Sequence, residues 1–300
     1  MLKVAHSKRY AHPLPEGHRF PMEKYELLPE QLLYEGTLRP SNFFSPEALA
    51  DDWILKAHDP SYFNRLKGLS LSKSEIRRTG FPLSQQLVDR EVHIMHGSVQ
   101  AALYAKEFGI AMNIAGGTHH AFKDRGEGFC LLNDLAITAF YLLEKKLARK
   151  ILIIDLDVHQ GNGTAAIFAE VPEVFTFSMH GEANYPMHKE KSDLDIGLKD
   201  KTDDATYLSL LRETLPRLID AEEPDFLLYQ CGVDVLASDK LGRLGMSIQG
   251  CKERDRIVLE TARKNRLPIM CCMGGGYSEK IAHIIEAHAN TYRLAQEIFF

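Results

Sequence analysis

The chain has 300 residues, of which 45% are hydrophobic and 26% are charged, and its formal net charge is −5. This length and composition allow a large buried core. Acidic and basic residues are mixed along the chain, so we expect no nucleic-acid partner and no electrostatic membrane anchor. No apolar run approaches the roughly 20 residues of a membrane span, and the N-terminus lacks the apolar core of a signal peptide. These features predict a soluble, cytoplasmic globular protein.

The cysteines favour the same compartment. The chain has five of them, an odd number, and none belongs to a C-x-x-C pair. This usage is typical of reduced core thiols and argues against a disulfide framework or a zinc ribbon. The oligomeric state is left open by the sequence.

The predicted elements change character along the chain. Seven prolines among the first eighty residues predict loops around short helices. Helical spacing of apolar residues then predicts a long helix from about Leu83 to Phe108. From there strands and helices alternate, with strands at Ile110–Ala115, Lys150–Ile154, Val174–Ser178, Asp225–Gln230 and Pro268–Met273, and helices at Leu132–Lys146, Ala205–Ile219, Gln249–Asn265 and Ser278–Glu297. The pattern predicts an α/β fold, a predominantly parallel sheet with helices on both faces, and residues 1–300 as a single domain.

Glycines and titratable side chains follow four of the predicted strands. One Gly-rich turn or one His-His pair would be ordinary by itself. Because the carboxyl ends of parallel strands share one edge of a sheet, these four segments are expected to meet there. The segments are Gly116-Gly117-Thr118-His119-His120, Asp155-Leu156-Asp157-Val158-His159, Cys231-Gly232-Val233-Asp234 and Gly274-Gly275-Gly276-Tyr277.

The segment after the strand ending at Ile154 indicates a metal site. Asp157 and His159 are two residues apart, so on an extended backbone they point to the same side. Together with Asp234 they offer three ligands, the number with which a catalytic zinc site keeps one position open for water or substrate. Two carboxylates and an imidazole also suit Fe²⁺, so the choice between zinc and iron is left open.

Groups for proton transfer accompany these ligands. The pair His119 and His120 offers a base for water and an acid for a leaving nitrogen. Tyr277 follows three glycines and offers a hydroxyl donor for a developing oxyanion. Asp155 and Asn162 are natural hydrogen-bond partners for the histidines. The set predicts metal-assisted hydrolysis of an amide or a similar acyl bond.

In these motifs the chain resembles the zinc-dependent histone deacetylase superfamily, whose members share the arginase–deacetylase fold. The matching segments occur in the family's order and span most of the chain from about residue 90 onward. With its short N-terminal region and its residues Gln160 and Asn162, the chain is most similar to the class IV branch and its bacterial relatives. The segments are Gly116-Gly117-Thr118-His119-His120-Ala121, Gly128-Phe129-Cys130-Leu131-Leu132-Asn133-Asp134, the run from Asp155 to Gly163, Gly232-Val233-Asp234 and Gly274-Gly275-Gly276-Tyr277.

The resemblance implies two ions. One is a zinc ion, one per chain, bound by Asp157, His159 and Asp234. The other is a potassium ion beside the zinc. Its ligands would come from Asp155, Asp157, His159, Ser178 and Met179.

The resemblance also assigns catalytic roles. It implies that His120 is the general base that activates water and then protonates the leaving amine. His119, oriented by Asp155, would tune the site electrostatically. Tyr277 would hydrogen-bond the substrate carbonyl alongside the metal.

The implied substrate is an acylated lysine of a protein or a small molecule. Gly128 and Phe129 would line the narrow tunnel that admits it, with Tyr185 as the opposite wall. Leu241, also expected in the tunnel, stands where polyamine-specific relatives carry a glutamate, so nothing at that position selects a polycation. Two alternatives stay open, a deacylase of a small amide such as an acetylated polyamine and a non-catalytic scaffold that binds acyl-lysine.

The chain departs from many family members at two positions. Gln160 replaces a histidine just past the ligand His159, and Asn162 replaces an aspartate. A neutral amide cannot stabilise an imidazolium as a carboxylate does. We therefore expect the pKa of His120 to be lower than it would be beside an aspartate.

Overall fold

The computed structural model describes residues 1–300 and contains one sheet of eight strands. The strands are β1 (Lys3–Ala5), β2 (Phe43–Phe44), β3 (Ile110–Asn113), β4 (Ile151–Asp155), β5 (Val174–Gly181), β6 (Leu194–Leu198), β7 (Phe226–Gln230) and β8 (Ile269–Cys272). Their order across the sheet is β2-β1-β3-β8-β7-β4-β5-β6. Every neighbouring pair is parallel.

Helices surround this sheet. They are α1 (Lys24–Tyr34), α2 (Asp51–Ile54), α3 (Pro60–Lys67), α4 (Lys73–Thr79), α5 (Gln85–Phe108), α6 (Asp134–Glu144), α7 (Asn162–Phe168), α8 (Asp204–Glu222), α9 (Ile248–Lys264) and α10 (Ile281–Phe299). None of these helices combines the length and the apolar character that crossing a membrane requires. The predicted fold class, a parallel sheet covered by helices, is confirmed.

The central strands β4, β7 and β8 are buried along their whole length. Apart from Asp155 at the end of β4 and Gln230 at the end of β7, these strands carry hydrophobic residues, because helices cover both faces of the sheet. Their hydrophobic side chains belong to a continuous core of 81 buried hydrophobic residues. All five predicted strands are present, each within a few residues of its expected bounds.

The sequence analysis missed three strands, β1, β2 and β6. Because β1 and β2 lie within the first eighty residues, the prediction of only loops and short helices there was wrong. β1 and β2 have three and two residues, too few for a repeating pattern, yet both pair in the sheet. β6 carries Asp195 and Gly197 on its alternate positions, which obscured it. Asp155 also lies within β4, as its last residue, and not after it.

A fully buried arginine ties two of the strand-end loops together. Arg254 of α9 donates hydrogen bonds to the carbonyl of Leu156, at 3.0 Å, and to the carbonyl of Gly232, at 2.6 Å. A third bond, of 3.3 Å, reaches the carbonyl of Cys231. The side chain of Asp255 balances the charge at 2.7 Å. Arg254 therefore holds the loop after β4 against the loop after β7.

Asp255 is itself held by two further hydroxyl groups. Tyr229 donates to it at 2.5 Å and Thr291 at 2.6 Å. The whole network is buried. Removing one partner of such a buried pair leaves an uncompensated charge, which is far more costly than losing an exposed pair.

We expect Arg254→Met to lower the free energy of unfolding by about 3–5 kcal/mol, because Asp255 would stay buried without its counter-charge. The matched control is Arg256→Met on the same helix, where the pair with Glu297 is partly exposed, and it should cost about 1 kcal/mol or less. Urea unfolding followed by circular dichroism measures both. Equal losses for the two variants would contradict this account.

Candidate active site and metal centre

The sheet order brings the four predicted segments together. Strands β3, β8, β7 and β4 are consecutive neighbours. Their carboxyl ends therefore lie side by side along one edge, as sites in open α/β sheets do. Each of these ends leads into one of the segments predicted from the sequence.

Asp157, His159 and Asp234 form a compact buried cluster. One donor atom from each lies within 4.8 Å of the other two. His159 Nδ1 is 3.1 Å from Asp157 Oδ1 and 3.1 Å from Asp234 Oδ2. The structure thus brings together the three side chains that the sequence predicted as ligands.

Backbone amides orient the two carboxylates. Val158 N–H donates to Asp234 Oδ1 at 3.0 Å, and Gly275 N–H donates to Asp157 Oδ2 at 3.0 Å. The amide of His159 donates to the other oxygen of Asp157, also at 3.0 Å. Asp234 is therefore held by the loop after β4, and Asp157 is held by the loop after β8 and by its own turn.

The charges of this cluster fit a divalent cation. Burial and the adjacent charge of Asp157 raise the pKa of Asp234 to about 7. Burial disfavours the imidazolium form of His159, but its hydrogen bonds to the two carboxylates outweigh burial and raise its pKa to about 10. Two buried carboxylates thus require a positive charge between them. A divalent cation on two oxygens and one nitrogen supplies that charge.

Gly275 has no room for a side chain. A Cβ at this position would collide with the carboxylate of Asp234 and would lie 2.7 Å from Asp157 Oδ2. The absent side chain lets the backbone amide approach the carboxylates closely. Gly275 therefore shapes the ligand cluster from the loop after β8.

We expect Gly275→Ala to abolish tight metal binding, because the new methyl group displaces both ligand carboxylates. The matched control is Gly197→Ala in β6, where a Cβ would make only contacts of 3.4 Å or more. Isothermal titration with Zn²⁺, alongside circular dichroism for folding, measures the difference. Tight zinc binding by the folded Gly275→Ala variant would disprove the proposed cluster.

The adjacent histidines have different partners and opposite electrostatics. His119 Nδ1 lies 2.7 Å from Asp155 Oδ2. Burial disfavours its charged form, but the carboxylates of Asp155 and Asp157 outweigh burial and raise the pKa of His119 to about 9. His120 is also buried, and burial together with the positive charges of His119 and His159 lowers its pKa well below the usual value.

His120 is bonded to the side chain expected from the sequence. Its Nδ1 lies 2.6 Å from Asn162 Oδ1. Because an amide oxygen only accepts, Nδ1–H is the donor, and the neutral ring keeps Nε2 as its free basic atom. Asn162 therefore selects the tautomer of His120.

Sequence reasoning missed a carboxylate behind this pair. Asn162 Nδ2 donates to Glu127 Oε1 at 3.2 Å, and a guanidinium nitrogen of Arg125 lies 3.8 Å from the same oxygen. The only sequence feature that could have indicated Glu127 is its position directly before Gly128, the first residue of a motif shared with the family. Its charge reaches His120 through a neutral amide and not by direct contact.

The four residues expected to form the tunnel line one cavity of about 270 Å³, together with His120, His159 and Tyr277. The ring of Tyr185 meets the ring of His120 edge-on, with centroids 4.9 Å apart. The four tunnel residues are Gly128, Phe129, Tyr185 and Leu241.

Gly128 has a local reason to be glycine. Its φ angle is +58°, in the left-handed region. A Cβ there would lie 2.7 Å from His120 Cδ2. The glycine therefore keeps the wall of the cavity clear beside His120.

Tyr277 lines the same cavity, beside Phe129. Its backbone N–H donates to Asp239 Oδ2 at 2.6 Å, and its ring centroid is 5.9 Å from that of Phe129. Burial and the charges of Asp234 and Asp157 raise its pKa well above the usual value. The hydroxyl therefore keeps its proton and is available as a donor.

A buried lysine supports this side of the site and was also missed. Lys24, the first residue of α1, donates to the carbonyl of Gly274 at 3.0 Å. Its Nζ lies 5.7 Å from the ring centroid of Tyr277, and burial lowers its pKa to about 8. Its contact is 250 residues away in the chain, so no local pattern could have revealed it.

Ser178 and Asp155 are register partners across β4 and β5. The Ser178 hydroxyl is 2.9 Å from His180 Nδ1. Met179, which lies between them in the chain, is buried. A potassium ion at this position stays a prediction.

Comparison with known proteins agrees with this architecture. The histone deacetylase domain family matches residues 18–292. The chain belongs to the histone deacetylase family. It is 42% identical to an uncharacterized protein of Picosynechococcus over 99% of both chains, and 28% identical to histone deacetylase 2 of Arabidopsis thaliana over 89% of this chain and 72% of that protein.

A solved structure shares the fold. The HD domain of HDA15 superposes with a TM-score of 0.80 over 96% of this chain and 89% of that one, at 16% identity. Membership of the family supports deacetylase activity in general and the resemblance stated from the motifs. Assignment to the class IV branch and the boundaries 1–300 for one catalytic domain stay predictions.

Proposed function

We propose that this chain is a metal-dependent deacylase that hydrolyses the amide between an acyl group and the side-chain amine of lysine. The observation that carries the proposal is a shared cavity. The buried cluster of Asp157, His159 and Asp234 adjoins the space that His120 and Tyr277 line. The proposed metal ligands, the base His120 and the hydroxyl donor Tyr277 thus lie around one cavity.

Asp157, His159 and Asp234 would hold the metal, for which zinc is our first choice and Fe²⁺ the second. Once bound, the cation supplies Lewis acidity, which polarises the amide carbonyl and acidifies water. Zinc accepts carboxylate oxygen and imidazole nitrogen as ligands, and three protein ligands leave one position open, as in catalytic zinc sites.

His120 moves the proton. Its Nε2 accepts a proton from water as the water oxygen attacks the amide carbon, and it returns that proton to the leaving lysine nitrogen. The products are the free amine and the carboxylic acid. Asn162 holds the ring by its Nδ1 during both transfers, since the bond of 2.6 Å does not involve Nε2.

Tyr277 and His119 stabilise negative charge. The Tyr277 hydroxyl donates to the substrate carbonyl oxygen, where charge develops during attack. His119, beside the base, contributes electrostatically to the site. Asp155 orients it at 2.7 Å.

The cavity fits an extended acyl-lysine better than the alternatives. Leu241 contributes no carboxylate at the rim, and the lining residues include no acidic side chain, so nothing there attracts a polyamine. A non-catalytic scaffold would not need the complete set of ligands, base and hydroxyl donor. Deacylation of a small uncharged or anionic amide is the remaining alternative.

We expect Tyr277→Phe to lower turnover of acyl-lysine peptides by about 10²–10³-fold, because one donor to the developing oxyanion is lost. Removal of the metal by a chelator should abolish turnover. The assay uses lysine peptides that carry acyl groups from acetyl to myristoyl, and it reports the preferred chain length. Tyr34→Phe, on a side chain 92% exposed, is the control. Turnover that survives both treatments would refute the mechanism.

From the amide of Asn162 we predict an effect on the pH dependence of turnover. Replacing Asn162 by aspartate should raise the pKa of His120, so that the base is protonated at a higher pH and the acidic limb of the pH–rate profile moves upward. Because the new carboxylate would also face Glu127, the substitution is best compared in a Glu127→Gln background, with Glu127→Gln alone as the control. An acidic limb that does not move would show that position 162 leaves the pKa of the base unchanged.

A further inference from the structure

Three arginines stand at the mouth of the substrate cavity. Arg19, Arg77 and Arg78 line the same space of about 270 Å³ as His120 and Tyr277. All three are exposed, and none forms a salt bridge. No Asp or Glu lines this cavity. The mouth is therefore a positive patch on a chain whose net charge is −5.

The segments that carry these arginines are fixed to the wall of the cavity. The carbonyl of Arg78 accepts from Gly128 N–H at 3.1 Å, and the carbonyl of Thr79 accepts from Phe129 N–H at 2.8 Å. The end of α4 is thereby joined to the two residues of the tunnel wall. The backbone that carries Arg77 and Arg78 is therefore held beside the cavity wall.

Arg19 reaches the mouth from a different part of the chain. The neighbouring His18 bonds through Nε2 to the carbonyl of Gly80 at 2.8 Å, which attaches this loop to the end of α4. The guanidinium carbon of Arg19 lies 5.9 Å from the ring centroid of Phe129. Two separate segments thus present cations to one opening.

Helix capping explains only part of this arrangement. Arg77 and Arg78 lie in the last turn of α4, where a positive charge complements the helix dipole. Arg19 is not on a helix, so the dipole gives no reason for its position. Unpaired guanidinium groups are well suited to bind carboxylates, often through two parallel hydrogen bonds.

We propose that the mouth selects an anionic substrate, in which a carboxylate lies next to the acylated amine. This inference rests on the proposed deacylase function and names its substrate class. The carboxylate would come from acidic residues that flank the acylated lysine in a polypeptide, or from the amino acid's own α-carboxylate in free acyl-lysine. Substrates rich in lysine and arginine around the acylated residue would be repelled.

The test uses end-blocked acyl-lysine peptides that differ only in their flanking residues, which are glutamate, glutamine or lysine. We expect kcat/KM to fall in that order, with about tenfold between the glutamate and lysine peptides at low salt. The difference should shrink in 1 M NaCl, where charges are screened within about 3 Å. A second arm compares free Nε-acyl-lysine with its α-carboxamide, and thus tells the two sources of the carboxylate apart.

The decisive variant replaces all three arginines, Arg19→Gln with Arg77→Gln and Arg78→Gln. It should remove the preference for the glutamate peptide over the glutamine peptide, and the carboxylate preference in the second arm. The matched control removes three other exposed arginines, Arg149→Gln with Arg217→Gln and Arg266→Gln, and should retain both preferences. Equal loss of turnover on the glutamate and glutamine peptides would overturn the inference.

Binding is measured in parallel by fluorescence anisotropy of the same peptides, which does not depend on turnover. Binding that favours the glutamate peptide and is lost in the triple variant supports the anionic mouth even without catalysis. Turnover of all peptides at equal rates, with equal binding, overturns the anionic mouth and leaves the deacylase function standing. Absence of turnover for every acyl-lysine substrate, with metal bound, contradicts the deacylase function instead.

Discussion

Two carboxylates, Asp157 and Asp234, lie side by side out of contact with bulk water, and much of the structure serves to keep them there. Two like charges this close repel strongly in a buried site, where one ligand atom of each lies within 4.8 Å of the other. Burial by itself also disfavours the charged form of each carboxylate. His159 sits between them, and the amides of Val158 and Gly275 each bond one oxygen. A positive charge between the two carboxylates would offset this cost, and in the proposed function a divalent cation supplies that charge.

The cost of that arrangement explains why the loops around it are tied down so firmly. Arg254 bonds carbonyls on both loops that carry the candidate ligands, and Asp255 neutralises it within the core. Lys24 donates to the loop after β8. A ligand cluster assembled from separate loops keeps its geometry only when those loops cannot drift apart, and these buried cations restrain them.

The two adjacent histidines show how neighbours divide one residue type into two roles. His119 faces a carboxylate, which favours its charged form, whereas His120 faces an amide, and burial favours its neutral form. Each charge state favours the other, because a protonated His119 opposes protonation of His120. Glu127 adds a remote negative charge behind Asn162 without neutralising this difference.

The sequence by itself determined the fold class, the four strand ends and the clustering of the three candidate ligand residues, because buried parallel strands are mostly apolar and the residues that follow them share an edge. Only the tertiary structure decided that β1, β2 and β6 extend the sheet, since such short or polar strands leave no periodic signal. It also decided the roles of Lys24, Arg254 and the arginines of the mouth. Their contacts join positions far apart in the chain, and side chains that act through such contacts carry no local pattern.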